Sequence, residues 1–264
     1  GLLESNMKLG TALVDMYVKC GLLRKAQQVH DQLCVRDSFS WSVLIAGYTQ
    51  SGQGHEALCC FEQMQVEGLS PDAVTFTSIL KACGSLGSIG IGTRIHDEVA
   101  RRGLLRKNIA LGNALVDMYA KCHAPEKAQE VLEELPLHTI VAWSALIEGY
   151  TLEGQGHEAL KCFEKMQTEG IFPDSVIFTC ILKACGSTGA IDKGMQIHNQ
   201  ILHTGSLEKD TELGCFLVYM YAKCGVLEKG RDVLSKLPVR SVISWNALIA
   251  GHAYLGQAHE ALSC

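Results

Sequence analysis

The sequence predicts an all-α protein, an α-solenoid of antiparallel helix pairs, and three observations lead to this class. First, the near-identical stretches that open at Trp41, Trp143 and Trp245 lie 102 residues apart. Second, the apolar residues within each stretch follow the 3.6-residue period of a helix. Third, 47% of the 264 residues are hydrophobic and only five are proline, which suits a long helical core. A fixed internal period is typical of arrays whose units pack mainly on their neighbours.

Each repeat unit is predicted to contain two helices joined by a glycine turn. Trp41 and Tyr48 share one face of a first helix, and the apolar period resumes at Ala57 in a second helix. We assign the glycine pair at 52–54 to the turn between them, and the pair at 90–92 to the same kind of turn. Neither pair follows a strand pattern, so a phosphate-binding or dinucleotide-binding loop is excluded.

A Gly-x-x-Pro-Asp run ends the second helix, and its aspartate is suited to cap the next one. The resulting units differ in length and alternate in a fixed order. The array is predicted to consist of a tail at 1–6, units at 7–37, 38–72, 73–108, 109–139, 140–174, 175–210 and 211–241, and a truncated unit at 242–264. Because residues 1–6 match the end of a complete unit, we expect the chain to be part of a longer protein.

His123 interrupts the pattern where the equivalent positions carry Gly21 and Gly225. Glycine there suits a left-handed residue at the end of a helix, so we expect a less well formed helix end at His123. Pro125 is well placed as the first residue of the following helix.

Composition and cysteine spacing exclude several classes of protein. The twelve cysteines mostly recur with the period and include no C-x-x-C pair, which favours small buried apolar residues in a reducing compartment over disulfides or zinc ligands. No run approaches the ~18 apolar residues of a membrane span. The net charge of −5 argues mildly against nucleic-acid binding, since a basic surface is the usual electrostatic footprint.

Enzyme signatures are incomplete. His96 and Glu98 have the spacing of one half of a zinc deaminase motif, but the P-C-x-x-C half is absent and His198 repeats His96. The recurring His-Glu pairs, as at His55, lack the second histidine of a zinc protease. We therefore predict no catalytic residue, no metal site and no cofactor.

Two helical repeat classes compete. From Trp41 the spacing of Leu44, Tyr48 and Phe61 suits a tetratricopeptide repeat, but the alternating unit lengths and the terminal Gly-x-x-Pro-Asp run do not. The motifs W[SN]xLIxG[YH], HEAL, MQxEGxxPD, FTxILKACG and ALVDMYxKC together resemble the pentatricopeptide repeat family, in its plant organellar class with alternating standard, long and short motifs. The resemblance covers essentially the whole chain.

The resemblance implies a right-handed superhelix whose first helices line a concave groove that binds single-stranded RNA, one nucleotide per unit. Two side chains per unit would read the base: one near the start of the first helix and the last residue of the unit. The pairs carried over are Thr11 with Asp37, Ser42 with Asp72, Asn113 with Thr139 and Ser144 with Asp174, and Asn246 has lost its partner to truncation. Weaker pairs are Thr77 with Asn108, Thr179 with Asp210, and Cys215 with Ser241.

By the same resemblance, serine or threonine with aspartate goes with guanine, threonine with asparagine goes with adenine, and a leading asparagine favours pyrimidines. The implied site is G-G-A-Y-G-G-N-Y, with the base opposite Cys215 and Ser241 left open. The residues one helical turn before the predicted base-reading residues would flank the bases, although core packing explains their apolar character equally well. They are Phe39, Val74, Val141, Val176 and Ile243, and Lys8 and Glu212 occupy the equivalent position in two short units. All the unit-final residues are also good helix N-caps.

The short units are 7–37, 109–139 and 211–241. Near the ends of their first helices lie Lys19, Lys121 and Lys223, which are candidates for phosphate contacts, although lysine also suits a helix C-terminus. The resemblance implies a mitochondrial or chloroplast protein that selects a site for C-to-U editing or other RNA processing. The long units are candidates to dock editing cofactor proteins, and the parent protein could carry a deaminase-like domain further on. The alternative function is a tetratricopeptide-like scaffold for protein–protein interaction.

Overall fold

The computed structural model describes residues 7–204, 210–237 and 240–263, and these ranges form sixteen α-helices without a β-strand. The expected tail at residues 1–6 lies outside them. None of the described helices has the length and apolar character of a membrane span. The chain divides into two compact parts, residues 1–138 and 139–264.

The first part contains four helix pairs. Its helices are α1 (Met7–Lys19), α2 (Leu23–Asp31), α3 (Ser38–Gln50), α4 (Gly54–Val66), α5 (Ala73–Leu86), α6 (Ile89–Arg101), α7 (Ile109–Lys121) and α8 (Pro125–Glu134). The first helices of the pairs pack in series, α1 on α3, α3 on α5 and α5 on α7. Each second helix packs on its own partner, and α2, α4 and α6 also pack on the next first helix. This two-layer arrangement is that of an α-solenoid.

The second part repeats the arrangement. Its helices are α9 (Ile140–Leu152), α10 (Gly156–Thr168), α11 (Ser175–Thr188), α12 (Ile191–Thr204), α13 (Thr211–Lys223), α14 (Leu227–Lys236), α15 (Val242–Tyr254) and α16 (Ala258–Ser263). Here α9, α11, α13 and α15 form the series of first helices. The predicted all-α solenoid class is confirmed.

Buried tryptophans anchor the two standard units, 38–72 and 140–174. Trp41 and Trp143 are 0% and 1% exposed, and each indole N–H donates to a glutamate at the end of its own unit's second helix. The distances are 2.9 Å from Trp41 Nε1 to Glu67 Oε2 and 3.1 Å from Trp143 Nε1 to Glu169 Oε2. The indole therefore ties the two helices of a unit together while its polar atom keeps a partner.

The assignment of Gly90–Gly92 to a turn is wrong, because both residues lie inside α6. The turn is made by Gly87, whose φ of +65° is the left-handed conformation that favours glycine. Gly92 has a different role: a Cβ there would stand 2.4 Å from Met118 Sδ. A close helix contact, which the pattern of glycines alone does not reveal, explains the second glycine. Likewise Gly54 is not part of a turn but the first residue of α4.

His123 takes the left-handed conformation expected of glycine, with φ +58° against +71° at Gly21 and +75° at Gly225. The helix before it is nevertheless as long as its equivalents, at 13 residues, so the expectation of a less well formed end is wrong. The unfavourable φ is confined to His123 itself. Pro125 begins α8, as predicted.

Most of the recurring cysteines that the structure describes are buried as expected, whereas Cys224 is half-buried and Cys20 is exposed. Cys83 and Cys185 are fully buried, and burial raises the pKa of each thiol to about 12. Cys122 covers Cys83, its Sγ lying 3.6 Å from the Cys83 carbonyl oxygen. Cys20, predicted to be buried, is exposed because no described helix precedes α1 to cover it.

Candidate nucleic-acid interface

All seven unit-final residues are N-caps of the helix that follows. Each side-chain oxygen accepts a hydrogen bond from a backbone N–H in the first turn of that helix; the residues are Asp37, Asp72, Asn108, Thr139, Asp174, Asp210 and Ser241. The four aspartates use only Oδ1 for the cap. Their Oδ2 atoms have no hydrogen-bond partner among the described residues. A cap therefore leaves an acceptor for a ligand.

The polar residues on the first helices differ in accessibility. Ser144, Thr77, Thr179 and Asn113 are half-buried and Asn246 is exposed, whereas Thr11 and Ser42 are 9% and 5% exposed. The Ser42 hydroxyl is 2.7 Å from the Ser38 carbonyl oxygen and 2.5 Å from Thr75 Oγ1. Thr75 in turn donates to Asp72 Oδ1 at 2.8 Å. Ser42 and Asp72 are thus linked through Thr75.

Ser144 lacks such a link. The residue equivalent to Thr75 is Ile177, which has no hydroxyl to offer. Of the two serines predicted to read guanine, Ser144 is therefore the more accessible. The sequence contained the signal for this difference, but only the structure shows that position 75 faces Ser42.

The predicted pair Thr11 and Asp37 line one open cleft of about 370 Å³. The flanking residues Lys8 and Phe39 line the same cleft, one from each of two consecutive units. Thr11 Oγ1 is buried and has no hydrogen-bond partner among the described residues. A buried hydroxyl without a partner is costly unless a ligand or water satisfies it. This cleft brings both predicted positions and both flanks together.

The pair Cys215 and Ser241 also meets, but in a closed form. Cys215 Sγ lies 3.1 Å from Ser241 Oγ, and the cysteine is 5% exposed. Each side chain therefore satisfies the other, and the unit 211–241 presents no open polar pair.

The predicted flanking positions are exposed, which decides between the two explanations of their apolar character. Phe39, Val74 and Val141 are 60%, 60% and 56% exposed, and Val176 and Ile243 are 51% and 64% exposed. The core explanation is therefore wrong. Scattered exposed hydrophobic residues are ordinary, but these five recur at the same position of their units, one helical turn before the predicted polar residue.

The three recurring lysines are not equivalent. Lys19 Nζ lies 2.7 Å from Asp15 Oδ2, and Lys121 Nζ lies 2.9 Å from Asp117 Oδ2. Lys223 has no carboxylate partner among the described residues, because Tyr219 occupies the position of those aspartates. Its Nζ lies 5.8 Å from the centre of the Tyr219 ring. Of the phosphate candidates, Lys223 is the least neutralised, and Tyr219 is a residue that the sequence reasoning missed.

The histidines of the incomplete enzyme motif serve packing. His96 Nδ1 lies 3.1 Å from the Tyr119 hydroxyl and His198 Nδ1 lies 2.8 Å from the Tyr221 hydroxyl. Burial lowers the pKa of both imidazoles. Among the described residues, no three histidine, cysteine or carboxylate side chains are grouped to hold a metal ion.

Comparison with known proteins gives consistent matches along the chain. The model of the PPR repeat family matches residues 36–85 and 138–187, and that of the PPR repeat matches 11–37, 113–138 and 243–264. A chloroplastic pentatricopeptide repeat-containing protein of Arabidopsis thaliana is 33% identical over 99% of this chain, and a mitochondrial one is 38% identical over 99%. The chain spans 42% and 34% of the lengths of these relatives.

A solved structure supports the same fold. The crystal structure of the pentatricopeptide repeat protein PPR10 in complex with an 18-nucleotide psaJ RNA element superposes with a TM-score of 0.79 at 17% identity. The match covers 98% of this chain and 40% of PPR10. With these family matches and the helix-pair architecture, the chain belongs to the pentatricopeptide repeat family.

Proposed function

We propose that this chain binds single-stranded RNA sequence-specifically, one nucleotide per repeat unit, and acts as a specificity module for organellar RNA processing such as C-to-U editing. The observation that carries the proposal is the exposed apolar residue one helical turn before the polar pair in four units, which recurs before Asn246 in the truncated unit. An apolar face supports a base by stacking or van der Waals contact, while a polar pair meets its hydrogen-bonding edge.

The polar pairs have suitable chemistry for base reading. A hydroxyl on the first helix can donate or accept, and the aspartate Oδ2 atoms can accept from a base N–H. Guanine presents an N–H and an NH₂ on its Watson–Crick edge, which suits an anionic acceptor. This chemistry supports guanine opposite Ser144 with Asp174, and opposite Thr11 with Asp37.

The relatives support two parts of the proposal, RNA as the ligand and an organelle as the location. PPR10 has been crystallised with RNA, and the two Arabidopsis relatives are chloroplastic and mitochondrial proteins. We extend both properties to this chain, with residence in one of the two organelles. The long units, 73–108 and 175–210, remain candidates for docking editing cofactor proteins. The chain itself is proposed to select the RNA site and to contribute no catalysis.

The test exploits the double role of Asp174. Asparagine caps a helix as well as aspartate does, so Asp174→Asn should leave stability nearly unchanged while removing the anionic acceptor. We expect the wild type to prefer guanine over adenine at the fifth base of GGAUGGAU by about fivefold or more, and the variant to lose or invert that preference. Fluorescence anisotropy with four RNAs differing at this base measures it.

Two controls complete the experiment. Asp174→Ala should lose both the cap, at about 1 kcal/mol, and the base preference. Ser42→Asn and Ser144→Asn form a matched pair, of which the change at the more accessible Ser144 should shift base preference further. Equal binding of all four RNAs by the wild type would contradict base reading. Binding of peptides with no binding of RNA would favour the protein scaffold.

A further inference from the structure

The unit 211–241 carries a stripe of residues that differs from its equivalents. Cys215, Tyr219 and Lys223 are spaced four residues apart and therefore lie along one face of α13. In the two other short units the middle position of this stripe is aspartate, Asp15 or Asp117. In those two units the stripe consists of the predicted base-reading residue, an aspartate and a lysine, whereas in unit 211–241 it consists of a cysteine, a tyrosine and a lysine.

The first consequence concerns the reader position. In this unit the predicted pair is closed on itself, with Cys215 Sγ and Ser241 Oγ 3.1 Å apart. A nucleotide opposite this unit therefore meets no open polar pair. Any contribution that the unit makes to binding has to come from other side chains.

The second consequence concerns the middle and last positions. Without the aspartate, Lys223 keeps its charge uncompensated, and its Nζ lies 5.8 Å from the centre of the Tyr219 ring. Gly186 allows this ring to lie close to α11, since a Cβ there would stand 3.3 Å from Tyr219 Cε1. The ring is thereby supported by the backbone of the neighbouring unit.

A cleft of about 630 Å³ opens beside this stripe, and Tyr219, Lys223 and Tyr254 line it. Its remaining lining is small, with Gly186, Ala222 and Ala250 among its residues. None of the described residues that line it is a carboxylate. Tyr254 is 91% exposed, so a second aromatic surface is available within the same cleft. Aromatic rings, one cation and no acid suit an anionic aromatic ligand.

We propose that the unit 211–241 holds its nucleotide by stacking the base on Tyr219, with the adjoining phosphate at Lys223 and with no base preference. The inference rests on the proposed RNA binding and its one-nucleotide register. Every base has a π-face, so stacking contributes affinity without distinguishing sequence. The seventh base of the site would then be a tolerated position that still strengthens the complex.

The experiment compares RNAs with A, C, G, U or an abasic residue at the seventh position of GGAUGGAU. We expect the wild type to bind the four bases within about twofold of one another and the abasic RNA about fivefold or more weakly. Tyr219→Leu should bind all five RNAs equally weakly, because the stacking ring is gone. Tyr219→Phe should keep the wild-type pattern.

Tyr219→Asp recreates the arrangement of the other short units and should pair with Lys223. We expect it to lose the abasic effect and also to reduce the salt dependence by about 0.7 in the slope of log K against log salt concentration. Asp117→Tyr is the reciprocal control and should gain affinity at the fourth position.

Three results would overturn the inference: an abasic penalty that persists in Tyr219→Leu, clear base discrimination by the wild type at the seventh position, or an abasic RNA bound as tightly as the others. Failure of the proposed function is distinguishable, since it would abolish discrimination at the fifth base or RNA binding altogether. Retained circular dichroism and unfolding midpoints show that each variant is folded.

Discussion

At the scale of single residues, His30 occupies a fully buried position where the equivalent repeats have Leu132 and Leu234. Its Nε2 lies 3.3 Å from Ser40 Oγ and its ring packs edge-on against Trp41 at 4.2 Å. Its Nδ1 has no hydrogen-bond partner among the described residues. Burial, reinforced by the positive charge of Arg36, lowers the pKa of His30 to about 4, against partial compensation by Asp31, Glu67 and Asp37.

This depressed pKa predicts acid destabilisation. The unfolded chain binds the proton near pH 6.5, whereas the folded chain binds it only near pH 4, so stability is lost as pH falls through that window. The loss should be on the order of 3 kcal/mol, at ~1.4 kcal/mol per pKa unit. Urea unfolding midpoints between pH 7.5 and about 4 measure it. His30→Leu should remove this component, and an identical pH dependence in that variant would count against the assignment.

The residues predicted to flank the bases show how far the environment of a single side chain can be predicted from the sequence. Phe39 lies outside the stripe formed by Trp41, Leu44 and Tyr48, but the helical period left core packing and exposure both open for it, and the structure shows that it is exposed. That Thr75 would engage Ser42 was not available, because the contact joins residues of neighbouring first helices and depends on their registration. Local periodicity predicts which side chains face the core but not which polar atoms meet.

At the scale of helices and turns, His123 is a non-glycine residue in the left-handed region. Such a conformation costs roughly 1 kcal/mol for a residue with a Cβ. His123→Gly should therefore raise the free energy of unfolding by about 0.5–1 kcal/mol, as judged from urea midpoints. The reverse change, Gly225→His, should lower it similarly. If both substitutions left the midpoint unchanged, the backbone conformation at this position would not matter to stability.

Most helices were predictable because propensity, period and caps agree. Asp37, Asp72 and Asp174 end one unit and begin the next helix in both sequence and structure. The region of Gly90 and Gly92 was not predictable in the same way. A glycine that starts a turn and one that admits Met118 look alike until the neighbouring helix is in place.

At the scale of the whole molecule, the net charge of −5 and the pairing of lysines limit electrostatic attraction for RNA. Asp15 and Asp117 neutralise two of the three recurring lysines. Surface ion pairs of this kind contribute little to stability, so their effect on ligand binding is the more informative one.

These pairings predict a shallow salt dependence. Each phosphate contact adds about 0.7 to the slope of log K against log salt for single strands, so one or two contacts give a slope no steeper than about −1.5. Asp117→Asn should free Lys121 and steepen the slope by about 0.7. Titrations at several potassium chloride concentrations measure both slopes. A wild-type slope of several units would mean that other cations dominate the interface.

The double role of the unit-final residues affects how the RNA specificity of this protein can evolve. Because each of them begins a helix, the residues tolerated there are those that cap well: aspartate, asparagine, serine and threonine. The same four residues differ in charge and hydrogen-bonding character. Under the proposed function, a single exchange within this set changes the base preference at one position of the RNA site with almost no loss of folding stability. New targets are thus accessible through single substitutions that keep the cap, whereas an exchange to a residue such as alanine changes recognition only at a cost of about 1 kcal/mol in stability.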